Sequence, residues 1–189
     1  MPSTDLADLL QTMTVTEAAD VLVGWRLSTT FDDRPTAVMI TETEAYAGAD
    51  DPASHSFRGR TARNEAMFAG GGTLYVYRSY GVHWCMNVVV GRPGTGHAVL
   101  LRGGVPITGE EVMRARRGRD DHLTDGPGKL AQALGVNGAA DGTSLIRGPV
   151  RLVPGNLPPG WQIAATPRIG ITKATERPWR RVARPVPRS

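Results

Sequence analysis

The chain has 189 residues, of which 40% are hydrophobic and 21% charged, a composition that excludes wholesale disorder and suffices for one self-supporting core. Its single cysteine, Cys85, excludes an internal disulfide and any zinc or iron–sulfur site built on the chain's own cysteines, and it fits a reducing cytoplasm. Lys plus Arg number 22 against 18 Asp plus Glu, a net of +4, with one arginine cluster at Arg114–Arg119 and a second basic stretch from Arg168 to Arg188; this asymmetry suits a polyanionic partner, or else a solvated face with a loose basic tail.

The opening MPSTDLADLL carries acids, no basic n-region and no apolar core, so a secretory signal is not expected. No run approaches the roughly 18 apolar residues that a membrane-spanning helix needs. Residues 4–24 read as helical: Thr4 and Asp5 can cap, and Leu6, Leu9, Leu10 and Met13 keep helical spacing. Thr16 with Glu17 opens a further turn and Gly24 ends it. Strands follow at Arg26–Thr30 and Ala37–Tyr46, joined around Asp32, Asp33 and Pro35. Residues 47–72 have little periodicity, and a loop of that length is commonly functional or disordered. Thr73–Tyr80 and His83–Val90 predict a hairpin hinged at Tyr80-Gly81, and His97–Arg102 a further strand. Helices are predicted at Thr108–Arg117 and Leu130–Leu134, then short strands between Leu145 and Ile171. From about residue 178 to 189 a poorly ordered basic tail is expected. Strands dominate with helices beside them, so the predicted fold is α+β, one domain over residues 1–189.

Alternation puts Glu42, Glu44 and Tyr46 on one face of their strand, with the two carboxylates about 6.6–6.8 Å apart. Burial would raise the pKa of one of them and suit it to act as a general base beside the ring. On spacing alone, a solvent-exposed acidic face is the simpler reading. The loop from His55 to Asn64 offers Arg58, Arg60 and Arg63 with Ser, Thr and Asn as phosphate donors. His55 has Asp50 and Asp51 nearby but no HxH or HxxxH partner, so no metal site is expected. Tyr75, Tyr77 and Tyr80 are three of the chain's four tyrosines. The first two share a face and read ordinarily as core. Tyr80, next to a glycine at the turn, would project as an apolar wedge of the kind that parts base steps. Asp125-Gly126-Pro127-Gly128-Lys129 leads a helix with exposed amides and a lysine that could meet an anion, without the spacing of a P-loop.

Six runs, in this order, carry a resemblance: TETEAYAGADDPASHS at 41–56, RTARNEAMF at 60–68, GTLYVYRSYGVHWCMNVVV at 72–90, HAVLLR at 97–102, DGPGKLAQALGV at 125–136 and PRIGI at 167–171. Together they span most of the chain and resemble the mammalian-type alkyladenine (3-methyladenine) DNA glycosylase family. The resemblance implies a compact mixed domain on a curved, barrel-like antiparallel sheet with a protruding hairpin and flanking helices. It implies hydrolysis of the N-glycosidic bond of alkylated or deaminated purines (the 3-methyladenine, 7-methylguanine, hypoxanthine and ethenoadenine class). The partner would be double-stranded DNA, the base flipped out, with no cofactor, metal or membrane. A cytoplasmic monomer is the expectation, nucleoid-associated if the source is bacterial.

By the same resemblance, Glu44 is the general base that activates water, and Arg102 and the carbonyl of Ile169 contact that water. Tyr46 and His55 sandwich the base, Tyr77 meets its edge, and Asn87 excludes the 2-amino group of guanine. Tyr80 fills the gap in the duplex and Lys129 contacts a phosphate; Arg60 and Arg63 join it as DNA-binding candidates on the residue types of their loop. No lysine is placed as a Schiff-base nucleophile, so a monofunctional enzyme is expected. Two departures stand out: Val105 precedes Pro106 where the family often has an acid, and TERPWRRVARPVPRS lacks the expected aromatic closing strand. The alternatives are a non-catalytic nucleic-acid-binding module of the same fold and a small-molecule nucleoside hydrolase using Glu42 and Glu44. Neighbours on one strand do not easily flank a bond, which disfavours the second.

Overall fold

The computed structural model describes residues 3–187. The side chains of Thr4 and Asp5, expected to cap, lie outside what is described, as do residues 188–189 of the expected tail. The predicted helix over 4–24 is two helices, α1 (Ser3–Thr12) and α2 (Val15–Val21). The break falls at Thr14, not Thr16. Its hydroxyl accepts from the Glu17 amide while the Glu17 carboxylate accepts from the Thr14 amide at 2.9 Å, a reciprocal cap that starts α2 afresh. Leu6, Leu10, Ala18, Ala19 and Leu22 face the core.

Among the described residues eight strands form one antiparallel sheet: β1 (Arg26–Thr29), β2 (Thr36–Ala47), β3 (Leu74–Ser79), β4 (His83–Val90), β5 (His97–Thr108), β6 (Val150–Val153), β7 (Trp161–Thr166) and β8 (Arg180–Pro185). The main order is β3-β4-β5-β2-β1-β6, with β8 paired to both β2 and β7. The sheet curls, and the fold is the predicted α+β domain. Helices α3 (Glu110–Arg117) and α4 (Pro127–Leu134) pack beside it. Leu27, Ile40, Leu74, Met86, Leu101, Leu130 and Leu134 are fully buried between the layers.

Strand β2 organises the molecule. One edge pairs with β5 along its length; the other pairs with β1 at Thr36–Met39 and with β8 at Glu42–Glu44. The β2–β5 register slips twice near Glu42. Ile40 pairs with Gly104, Glu42 with Gly103, and Thr43 with Leu101, so Thr41 and Arg102 have no partner in the ladder. Such bulges turn side chains out of the regular alternation, commonly beside active sites.

The tail expectation is corrected. Residues 180–185 form β8, closing the sheet edge beside Glu42–Glu44. Two of its three arginines are matched elsewhere in the fold: Arg180 with Glu42 at 2.7 Å and Arg181 with Asp20. Val182 and Ala183 are buried, and Trp179, just ahead of the strand, packs on the main core. Charge and proline hid a strand that pairs with β7, the strand before it, and with β2, far away in sequence. The departure at Val105 is absorbed, since β5 runs through it and pairs it with Met39.

Candidate active site

Glu44 is fully buried, which overturns the exposed acidic face. Its Oε2 accepts from the Tyr46 hydroxyl at 2.9 Å and from Arg102 at 3.4 Å, and its Oε1 accepts from the Ile169 amide at 2.8 Å. The structure thus brings Ile169 to the site through its N–H. Glu42 differs from Glu44 in its partners: its Oε1 accepts from Arg102 Nε at 2.9 Å and Arg180 Nε at 2.7 Å. Two carboxylates and two guanidiniums therefore form one balanced cluster. Burial pushes the Glu44 carboxyl above its ordinary value, against the Arg102 charge, the Ile169 amide and the Tyr46 hydroxyl, with Glu42 adding a small upward push. Burial and then the Glu44 charge raise the Tyr46 phenol strongly, so it stays a donor.

Above this cluster opens a cleft of about 1170 Å³. Tyr46, Arg102 and Ile169 line it, so Glu44 sits just beneath its floor. His55, Tyr77 and Asn87 line it too. The His55 ring meets Tyr77 edge-on at 4.4 Å between centroids, and Tyr75 stacks on Tyr77 at 5.6 Å. His55 Nδ1 lies 3.1 Å from the Tyr75 hydroxyl. Burial, then the Arg63 charge, lowers the His55 pKa, which favours a neutral imidazole. Asn87 donates to the Tyr75 carbonyl at 3.2 Å.

The long loop is ordered by bonds within itself and to residues outside it. Asn64 takes the Thr61 amide at 2.7 Å and donates to the His55 and Gly59 carbonyls, while Ser56 donates to the Gly96 carbonyl at 2.6 Å. These local bonds, rather than a hydrophobic period, fix His55 in place.

At the rim, Tyr80 is 91% exposed. It has φ 50° and Gly81 has φ 69°, so the hairpin turns through two left-handed residues. Arg63 lines the cleft, whereas Arg60 pairs with Glu65 at 3.0 Å. Lys129 bonds Asp125 at 3.1 Å, so its charge is partly matched. A Cβ on Gly128 would stand 2.8 Å from His83 Cβ, so the start of α4 lies against the turn end of the hairpin.

Four residues escaped the sequence reading. Asp51 and Arg168 form a buried ion pair; Arg180 anchors Glu42; and Lys173 lines the cleft, exposed on the segment after Ile169. The PRIGI run marked the place of Arg168 but not its partner. Among the described residues, no group of three or more His, Cys, Asp or Glu side chains gathers as a metal site, and no helix is long and apolar enough to cross a membrane.

A family model described as Methylpurine-DNA glycosylase (MPG) matches residues 9–186. The chain is 50% identical over 182 residues to a protein of Granulibacter bethesdensis named "Putative 3-methyladenine DNA glycosylase", covering 94% of this chain and 83% of that one. It is 48% identical to a protein of the same name from Methanoculleus marisnigri, with 88% of each covered. A third, from Rhodopseudomonas palustris strain BisB18, is 53% identical over 75% of this chain and 70% of its own.

Proposed function

This chain belongs to the methylpurine-DNA glycosylase family, and on that premise we propose that it hydrolyses the N-glycosidic bond of alkylated or deaminated purines in double-stranded DNA, as a monofunctional, monomeric enzyme. The observation that carries this is the fully buried Glu44 beneath the floor of an aromatic cleft, accepting a hydrogen bond from the Tyr46 hydroxyl.

A base stacked in a duplex cannot reach such a cleft, so the nucleotide must swing out, at a cost of a few kcal/mol. Tyr80, exposed at the tip of the hairpin, supplies a ring to fill the gap. Arg63 and Lys129 offer charge to the phosphates, which makes binding fall with salt. Tyr46 and His55 would take the two faces of the extruded base, with Tyr77 at its edge. Stacking is tolerant of base identity, and a neutral His55 does not repel an alkylpurine cation. Asn87, fixed by the Tyr75 carbonyl, would disfavour the 2-amino group of guanine.

In the chemical step the C1′–N bond breaks and its electron pair leaves with the base. Water oxygen bonds to C1′, and Glu44 takes the water proton. Three donors occupy three of the roughly four lone-pair sites of Glu44, leaving one for that water. Arg102 also stabilises the carboxylate as charge develops at the sugar. Glu42, held by two arginines, is not a second acid–base group, which argues against a nucleoside hydrolase built on the pair. Lys173 lacks the apolar burial that activates a lysine nucleophile.

The test is incubation with a hypoxanthine-containing duplex followed by alkali. Strand scission by the wild type and none by Glu44→Gln is expected. Intact strands with hypoxanthine and with alkylated purines alike would refute glycosylase action.

A further inference from the structure

We propose that Arg168, locked to Asp51, is the positioning residue of this site: it pins the segment that carries Ile169 against Glu44 and seats the ring of Tyr46. The proposal rests on the glycosylase reading for its consequences but not for its geometry.

Residues 167–179 link β7 to β8 outside any strand. Pro167, Ile169 and Gly170 are exposed, while Arg168 between them is buried, its side chain fully so. Its guanidinium reaches three separate segments. It donates to both carboxylate oxygens of Asp51, at 2.9 Å from Nη2, and to the Ala45 carbonyl at 2.9 Å. Ala45 lies between Glu44 and Tyr46, and Asp51 lies four residues before His55. The same group stacks on the Tyr46 ring at 4.7 Å and on Trp179 at 5.2 Å, a planar contact that lysine cannot reproduce. Asp51 in turn accepts from the Ala47 and Ala53 amides. One ion pair therefore sets the spacing of the floor, the Tyr46 ring and the His55 loop. Burial favours neutral Asp51, but the Arg168 bonds and charge and the two amides outweigh it and hold the carboxyl below its ordinary value.

Without the pin, the exposed segment swings and Glu44 loses the Ile169 amide. The other groups facing Glu44 remain: Glu42 and Tyr46 from β2, Arg102 from β5 and, through Glu42, Arg180 from β8. Cys85 of β4 lies within reach of the Arg102 charge, and the Asp20–Arg181 pair joins α2 to β8. A carboxylate that loses a hydrogen bond to its charged form binds its proton more tightly.

The experiment compares wild type, Arg168→Lys and Asp51→Asn. The Glu44 carboxyl carbon, assigned with Glu44→Gln, is titrated by NMR, and hypoxanthine release is followed in single turnovers across pH. In both variants the Glu44 titration should move to higher pH. Release should fall about tenfold to a hundredfold at the acid end, the worth of one bond to a charged group, and the loss should narrow toward the alkaline plateau. A Glu44 midpoint unmoved in folded Arg168→Lys or Asp51→Asn overturns the proposal, as does a loss of rate equal at every pH. If the wild type releases no base, the glycosylase reading fails while the carboxyl titration still decides whether Arg168 pins the segment.

Discussion

The Tyr46 hydroxyl donates to Oε2 of Glu44 at 2.9 Å, and the two residues stand two apart on the same face of β2. The Tyr46 ring and the Glu44 carboxylate are therefore one mechanical unit. A shift of either moves the other.

Tyr46→Phe separates the two roles, since it keeps the ring and removes the bond. The acid limb of the wild-type rate profile should lie above 4.5, because burial raises the Glu44 carboxyl and only its ionised form accepts a proton. In Tyr46→Phe that limb should move higher still, with up to about a tenfold to hundredfold loss at the acid end and unchanged affinity for abasic duplex. A limb that stays in place would show that the hydroxyl does not tune the base.

Glu44→Gln should cost about 10²- to 10⁴-fold in base release and leave binding to abasic duplex intact. Its melting temperature should rise at neutral pH. The sign follows from linkage: the folded pKa exceeds 4.5, so the native state binds more protons than the unfolded chain, and stability falls as pH rises through that window. At neutral pH the cost of the buried charge is complete, and a neutral side chain avoids it. Calorimetry on the two proteins checks this, and a lower melting temperature in Glu44→Gln would contradict it.

Tyr80 holds φ 50° with almost no contacts to reward it, and a turn of this kind prefers Asn before Gly. Tyr80→Asn should match or exceed wild-type thermal stability while weakening capture of abasic duplex and slowing release from double strands. Loss of stability with unaltered DNA affinity would mean the ring packs at home rather than in the duplex.

Ending the chain after Pro178 should cost on the order of 3–5 kcal/mol, because Val182 and Ala183 leave the core and Glu42 loses Arg180. The melting temperature should fall by about 10 °C. It should also disturb excision, since Glu42 orients Arg102. A truncated chain that melts like the full one would restore the view of this segment as a loose tail.

Much of the fold was legible because its signals are local. The alternating runs at 37–46 and 73–90 announce β2, β3 and β4, and Tyr80-Gly81 announces the turn. The start of α2 was misplaced by two residues, although Thr14-Val15-Thr16-Glu17 carries the three-residue spacing of a reciprocal cap, which Thr16 beside Glu17 cannot make. β8 was not legible. Its arginines look like a solvated tail until Glu42 and Asp20 are placed opposite them, 138 and 161 residues away.

The sequence by itself determined that Glu42, Glu44 and Tyr46 share a face, because a strand's two-residue period is a property of the backbone. It also determined that Tyr80 sits at a turn, where a glycine follows. Only the tertiary structure decided that Glu44 is buried, that Arg102 and Ile169 reach it from 58 and 125 residues away, and that Arg168 meets Asp51 across 117. The charge on a side chain is written in the chain, but its partner is chosen by the path of the sheet. In a buried site the partner, not the residue type, sets the energy of that charge.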